Sequence, residues 1–237
     1  MAKRPEVLHD IRTVIYNSKH WNLLGHMRKH AIEIIRKIES SGIAHPFVHG
    51  SVARGDVSET SDIDIIISTP ISSYRLELAL GHFLHRELIQ ATPTMVLKGH
   101  FFLEDNVVVS FPMFKLRPRE EEFYQWGGLL DLSGLEAASR VIGVNKKLLL
   151  IQPTPTGHTE FGVIGHEYEA AKMLNVSNAI ANERVRVLTR RDSVGRTGVY
   201  LTRPLKESES FEEVAKQLQD SDPALRRTIG RREGRRR

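Results

Sequence analysis

The chain has no cysteine among its 237 residues. That excludes a disulfide framework and a thiolate zinc site, and it fits a cytoplasmic protein. Long apolar runs are missing too: no stretch approaches the roughly 18 residues that a membrane-crossing helix requires. The opening Met1-Ala2-Lys3-Arg4-Pro5-Glu6 has no apolar run behind its charges, so no secretory signal is expected. No Gly-X-Ser-X-Gly turn, P-loop or internal repeat is present. What the chain does have is 40% apolar residues, enough to build one large core or two modest ones.

Excess charge of one sign is also absent from most of the chain. The formal net charge is +5, but Arg226–Arg237 alone holds seven arginines and one glutamate, or +6. The other 225 residues therefore sum to −1 (5 − 6). Basic character belongs to this tail, which is suited to electrostatic contact with nucleic acid or, with no such partner, to a solvated end.

Periodicity predicts an α/β protein. Residues 7–41 carry apolar side chains at helical spacing, with a break at Asn17-Ser18 and a stop at Gly42. Phe47-Val48 and Ile65–Ile67 read as strands, 73–90 as a helix, and Thr94–Leu97, Phe101–Leu103 and Val107–Phe111 as strands around a Glu104-Asp105-Asn106 turn. Residues 113–140 read as a connecting segment. A smaller α+β domain is expected at 141–205, with strands at Lys147–Gln152, Phe161–Ile164, Val185–Thr189 and Val199–Thr202 and a helix at Glu167–Asn175. A polar segment follows at 206–237, with one amphipathic helix and the arginine tail.

The residues that carry chemistry lie between Phe47 and Ser68. Asp62 and Asp64, spaced i and i+2 at the entrance to an isoleucine run, place two carboxylates on one face of a strand. Such a pair suits a divalent metal such as Mg²⁺, which takes hard oxygen ligands and bridges phosphates. Upstream, Gly50 lets a phosphate approach the backbone, and Ser51 adds a hydroxyl and an N–H. Arg54, one turn on, can pair with a triphosphate oxygen.

This pattern, Gly50-Ser51, Ala53-Arg54-Gly55, then Asp62-Ile63-Asp64, closely resembles the motif of the polymerase β-like nucleotidyltransferase superfamily. It is nearest to the minimal nucleotidyltransferases of prokaryotes and the archaeal CCA-adding enzymes, and it covers about residues 30–112. The resemblance implies a nucleotidyltransferase domain over 1–112, with a mixed β-sheet flanked by helices. It also implies Mg²⁺ at Asp62 and Asp64, and ATP or another nucleoside triphosphate at Gly50 and Ser51. Active members carry a third carboxylate on a later strand. The equivalent stretch, Val107–Phe111, has no acid, and Glu104 and Asp105 stand just before it. Two functions follow: a transferase moving a nucleoside monophosphate to a hydroxyl, or a catalytically degenerate module that binds nucleotide or nucleic acid. Analogy with minimal nucleotidyltransferases adds a companion protein as a partner.

Two other patterns stand out. His82 and His85, i and i+3 on the predicted 73–90 helix, could face one metal, but no third ligand stands near them in the pattern and they read as surface or sheet-packing histidines. Residues 169–185 resemble the two-helix core of a helix-turn-helix, followed by a wing around Gly195–Gly198. Arg184, Arg186, Arg190, Arg191 and Arg196 would then lie near RNA or another nucleic acid. In that motif Asn175 stands where glycine is usual.

Overall fold

A computed structural model describes residues 4–43, 45–195 and 198–232. In chain order, the first elements are β1 (Arg12–Ile15), α1 (Ser18–Ser40), β2 (Pro46–His49), α2 (Ser51–Arg54) and β3 (Ile63–Ile67). Next come α3 (Ser73–Leu80), β4 (His85–Gln90), β5 (Lys98–Phe102), β6 (Val107–Pro112) and α4 (Pro118–Gly127). They are followed by β7 (Leu129–Leu130), α5 (Leu132–Glu136), β8 (Gly143–Val144), β9 (Leu149–Thr154) and β10 (Gly157–Gly162). The last are α6 (Glu167–Met173), α7 (Asn178–Val194), β11 (Leu201–Pro204), α8 (Phe211–Ser221) and α9 (Pro223–Arg232). The chain folds into two compact units, each assembled from separate segments. One gathers the described residues of 1–32, 48–61 and 121–197, the other those of 33–47, 62–120 and 198–237.

The second unit is built on a mixed sheet in the order β11-β4-β5-β6-β3. Only β3 and β6 run parallel, with Ile63 beside Val107 and Asp64 beside Val108; the other pairs are antiparallel. Alternation sorts the side chains. Ile63, Ile65 and Ile67 share a buried face with Val107, Val109, Phe111, Phe101 and Leu88. Phe211 at the start of α8 closes this face, its ring 5.1 Å from those of both Phe101 and Phe111. Gly99 makes the packing possible, because a Cβ there would lie 2.4 Å from the Phe111 ring. Burying each of these large side chains contributes roughly 1.5–3 kcal/mol.

The first unit holds an antiparallel sheet in the order β1-β10-β9-β8. Its core joins Trp126, Val144, Leu148, Leu150 and Val163 to Ala170, Ala171, Leu174 and Ala181 of the α6–α7 pair.

Several expected elements differ. Arg12–Ile15 is a strand rather than part of a helix, because it pairs along β10, where Gly157 admits the Val14 carbonyl at a point no Cβ would allow. The 73–90 helix stops at Leu80: Gly81 takes φ 72° and its N–H closes on the Glu77 carbonyl. His85–Gln90 then forms β4, so His82 and His85 do not share a helix face. Thr94–Leu97 is a turn, not a strand. Residues 113–140 contain α4, β7 and α5 rather than a bare connection. Val185–Thr189 lies inside α7, because Val185 and Leu188 bury at helical spacing behind the Ser177 cap. The next described strand, β11, pairs with β4, so no wing follows α7 among the described residues; Arg196 lies outside them. Much of the arginine tail is helical: Leu225, Thr228 and Ile229 of α9 are buried, and residues 233–237 lie outside the described chain.

Candidate active site

The Gly50–Asp56 turn belongs to the first unit. After β2, Gly50 adopts φ 78° and ψ −137°, a conformation open essentially to glycine alone. Its N–H donates to the Gly128 carbonyl at 3.0 Å, and a Cβ added here would meet nothing within 4 Å. The backbone is thus held in place while the space above it stays clear. One turn of helix follows, with Val52 and Ala53 fully buried, and it ends at Gly55, which takes φ 104°. The first N–H groups of such a turn have no partner inside the helix.

Two buried arginines hold this turn. Arg28, on α1, donates to the carbonyls of Val52 (3.1 Å), Ala53 (3.0 Å) and Ser139 (2.7 Å). Burial, and then the nearby Arg140, lower its guanidinium to about 10, so it remains charged at neutral pH. Arg54, one of the residues singled out by the motif, is only 4% exposed. Its Nε and Nη2 donate to the two oxygens of Asp56 at 3.0 and 3.1 Å, and Nη1 donates to the Gly127 carbonyl. His20 adds a contact from Nε2 to the Gly55 carbonyl at 2.8 Å. Arg28, Asp56 and His20 escaped the sequence reading. The Asp immediately after Ala53-Arg54-Gly55 was the one local signal available.

Asp62 and Asp64 belong to the second unit. Asp62 is exposed just before β3, and Asp64 is half-buried at its second position. The strand pleat puts the Asp64 side chain on the face opposite Ile63 and Ile65. The register is fixed by β6 and by the Ile63 N–H, which donates to the Asn106 carbonyl at 3.0 Å. Asp105 and Asn106 take φ 55° and 56° in the expected turn before β6.

On the face of Asp64, β6 presents Val108 and Ser110, not an acid. The Ser110 hydroxyl shares a 2.8 Å hydrogen bond with Nδ1 of His100, its cross-strand neighbour on β5. Burial, with a further contribution from Lys98, pushes His100 down to about 3, so its imidazole is neutral at ordinary pH. Farther along this face His85 stacks on Phe102, with ring centroids 4.2 Å apart. Among the described residues no three His, Cys, Asp or Glu side chains group closely enough to hold a metal ion. What the motif would offer a metal is the carboxylates of Asp62 and Asp64. Two hard oxygen donors would suit Mg²⁺, which keeps several waters and is bound through one or two carboxylates together with substrate phosphates; beyond Asp64 the same strand face is closed, with Ile66 and Ser110 only 6% and 5% exposed.

No helix among the described residues is long and apolar enough to cross a membrane. No curated protein and no solved structure matches the chain. Residues 28–126, however, match the family model of the nucleotidyltransferase domain, a span that holds Arg28, the Gly50–Asp56 turn, Asp62, Asp64 and β6; that match is consistent with the polymerase β-like nucleotidyltransferase superfamily.

Proposed function

We propose that this protein is a Mg²⁺-dependent nucleotidyltransferase that moves a nucleoside monophosphate from a nucleoside triphosphate, ATP in the first instance, to a hydroxyl acceptor. In this reaction the acceptor oxygen attacks the α-phosphorus and pyrophosphate leaves, so the protein mainly positions the reactants and neutralises charge. Asp62 and Asp64 would hold the metal, which when bound neutralises phosphate oxygens and makes the attacking hydroxyl a better nucleophile.

The other roles fall to the glycine turn. Gly50 leaves room for phosphate oxygens against its backbone, and Ser51 offers them a hydroxyl and an N–H. Arg54, its charge matched by Asp56, holds the turn's shape through Asp56 and Gly127 rather than meeting a phosphate itself. Arg28 fixes the same turn from behind. The observation that carries this reading is Gly50: a glycine-only backbone conformation, anchored by Gly128, with open space where a side chain would otherwise stand.

The test is label transfer. The protein is incubated with Mg²⁺, labelled nucleoside triphosphates and either total RNA or cell extract. Transfer is expected with the natural protein and lost in Asp62→Ala and Asp64→Ala, each checked for folding by circular dichroism. Transfer that survives both substitutions would overturn the assignment.

A further inference from the structure

The α6–α7 pair packs only one side of α7. Ile180 and Ala181 are buried, and Val185 and Leu188 pack on the same core. At ~100° per residue, Asn178, Asn182, Arg186, Thr189, Arg190 and Ser193 fall within roughly a third of the circumference on the opposite side. All six are exposed; the half-buried Glu183 borders this arc, about 20° beyond Arg190. Asp192 lies off it and pairs with Arg4 at 3.4 Å.

An ordinary solvated helix face looks different. On α8 of the same protein the exposed positions include Glu212, Glu213, Lys216 and Asp220, a mixture of both signs. Asparagine, threonine and serine are mediocre helix formers. Placing them on the outward face of a 17-residue helix weakens it locally.

The turn before α7 is built with care. Asn175 takes φ 52°, the left-handed conformation that asparagine tolerates best after glycine, so it fills the position where a helix-turn-helix usually has glycine. Ser177 caps α7 by accepting from the Ile180 N–H. Glu122 in turn accepts from the Ser177 N–H at 3.0 Å and its hydroxyl at 2.6 Å, and Gln125 donates to the Leu174 carbonyl at 3.2 Å. The start of α7 is thus rigidly presented.

We infer that α7 is a recognition helix that enters the major groove of double-stranded DNA, with Asn178, Asn182 and Arg186 facing base edges and Arg190 a phosphate. Asparagine matches adenine and arginine matches guanine at their major-groove edges, and serine and threonine suit phosphates or bases. Arg186 and Arg190 give the arc a net positive charge that complements the DNA backbone. The groove of B-DNA admits a helix, whereas the deep, narrow major groove of double-stranded RNA does not. This inference is independent of the transferase reading, since it uses none of the residues proposed for it.

The experiment selects duplexes from a randomised 20-base-pair pool with the full chain, then measures the fluorescence anisotropy of a labelled selected duplex at low and moderate salt. The expected result is a preferred sequence, about 10-fold or more weaker binding in Arg186→Ala and Asn182→Ala, and loss of that preference. Arg190→Ala should weaken all duplexes alike and lower the salt slope by about one. Unchanged melting temperatures would show that the variants are folded. Three results would each overturn the inference: no binding to any duplex at low salt; binding that ignores sequence and all three substitutions; or tighter binding to single-stranded RNA than to the selected duplex.

Discussion

Replacing Gly50 by alanine separates backbone conformation from steric bulk. At φ 78° and ψ −137° an L-residue is strained by about 1–3 kcal/mol. The added Cβ meets nothing within 4 Å, so this strain is the whole folded-state cost. Stiffening of the unfolded chain offsets roughly 0.4–1 kcal/mol of it. The net loss is then about 0.5–2 kcal/mol, which for a chain of this size lowers the melting temperature by roughly 1–8 °C. Gly25 is the internal control: it lies within α1, takes no positive φ, and a Cβ there also meets nothing within 4 Å. Gly25→Ala should therefore stabilise by about 0.5–1 kcal/mol. Both variants are compared by thermal unfolding and by titration with Mg²⁺ and ATP; Gly50→Ala should also weaken nucleotide binding, and Gly25→Ala should not. If Gly50→Ala leaves melting and nucleotide affinity unchanged, or if both substitutions shift melting in the same direction, the reasoning about the turn fails.

Other perturbations follow from the second unit. His100 is held near 3 by burial, below the unfolded value of about 6.5, so between those values the unfolded chain binds the proton better. Its contribution to stability is complete above pH 6.5 and is lost as pH falls toward 3. Urea midpoints should thus report a loss of about 2 kcal/mol between pH 7 and pH 5, at up to ~1.4 kcal/mol per pH unit. His100→Gln should flatten most of that dependence, leaving the smaller share due to His158, which burial also depresses. At the end of α9, Arg232 is almost fully buried and donates to both Glu120 oxygens at 2.6 and 2.8 Å. Arg232→Ala should cost about 3 kcal/mol in urea unfolding, because it removes the counter-ion of a largely buried carboxylate and leaves Glu120 only the Val96 and Arg117 N–H groups.

The parts of the fold set by local chemistry were legible in the sequence. Gly42 ends α1, the Asp105-Asn106 pair makes the turn before β6, and Phe211 and Val214 mark the buried stripe of α8. What escaped was set by distant partners. Arg12–Ile15 reads as helix until β10 is there to pair with it, and Leu84 and Leu88 fall at helical spacing although only Leu88, in β4, is buried. The compact units are assembled from separate segments, so no composition shift along the chain marks where one gives way to the other. At the candidate site, the glycine, serine and two aspartates announce themselves by type and spacing. The residues that hold the glycine turn do not: Arg28 comes from mid-α1, and the acceptors at Gly127 and Ser139 are backbone carbonyls, which carry no sequence signal. Arg54 is visible in the motif, but its burial against Asp56 is a property of the packed turn.

The measurement closest to the central claim compares two labels on the same nucleoside triphosphate. With Mg²⁺ and the natural protein, label at the α-phosphate should appear in the acceptor, while label at the γ-phosphate should leave as pyrophosphate, and both should vanish in Asp62→Asn and Asp64→Asn. Transfer of the γ-label to the acceptor, or transfer of the α-label that persists in both variants, would contradict nucleotidyl transfer at these aspartates.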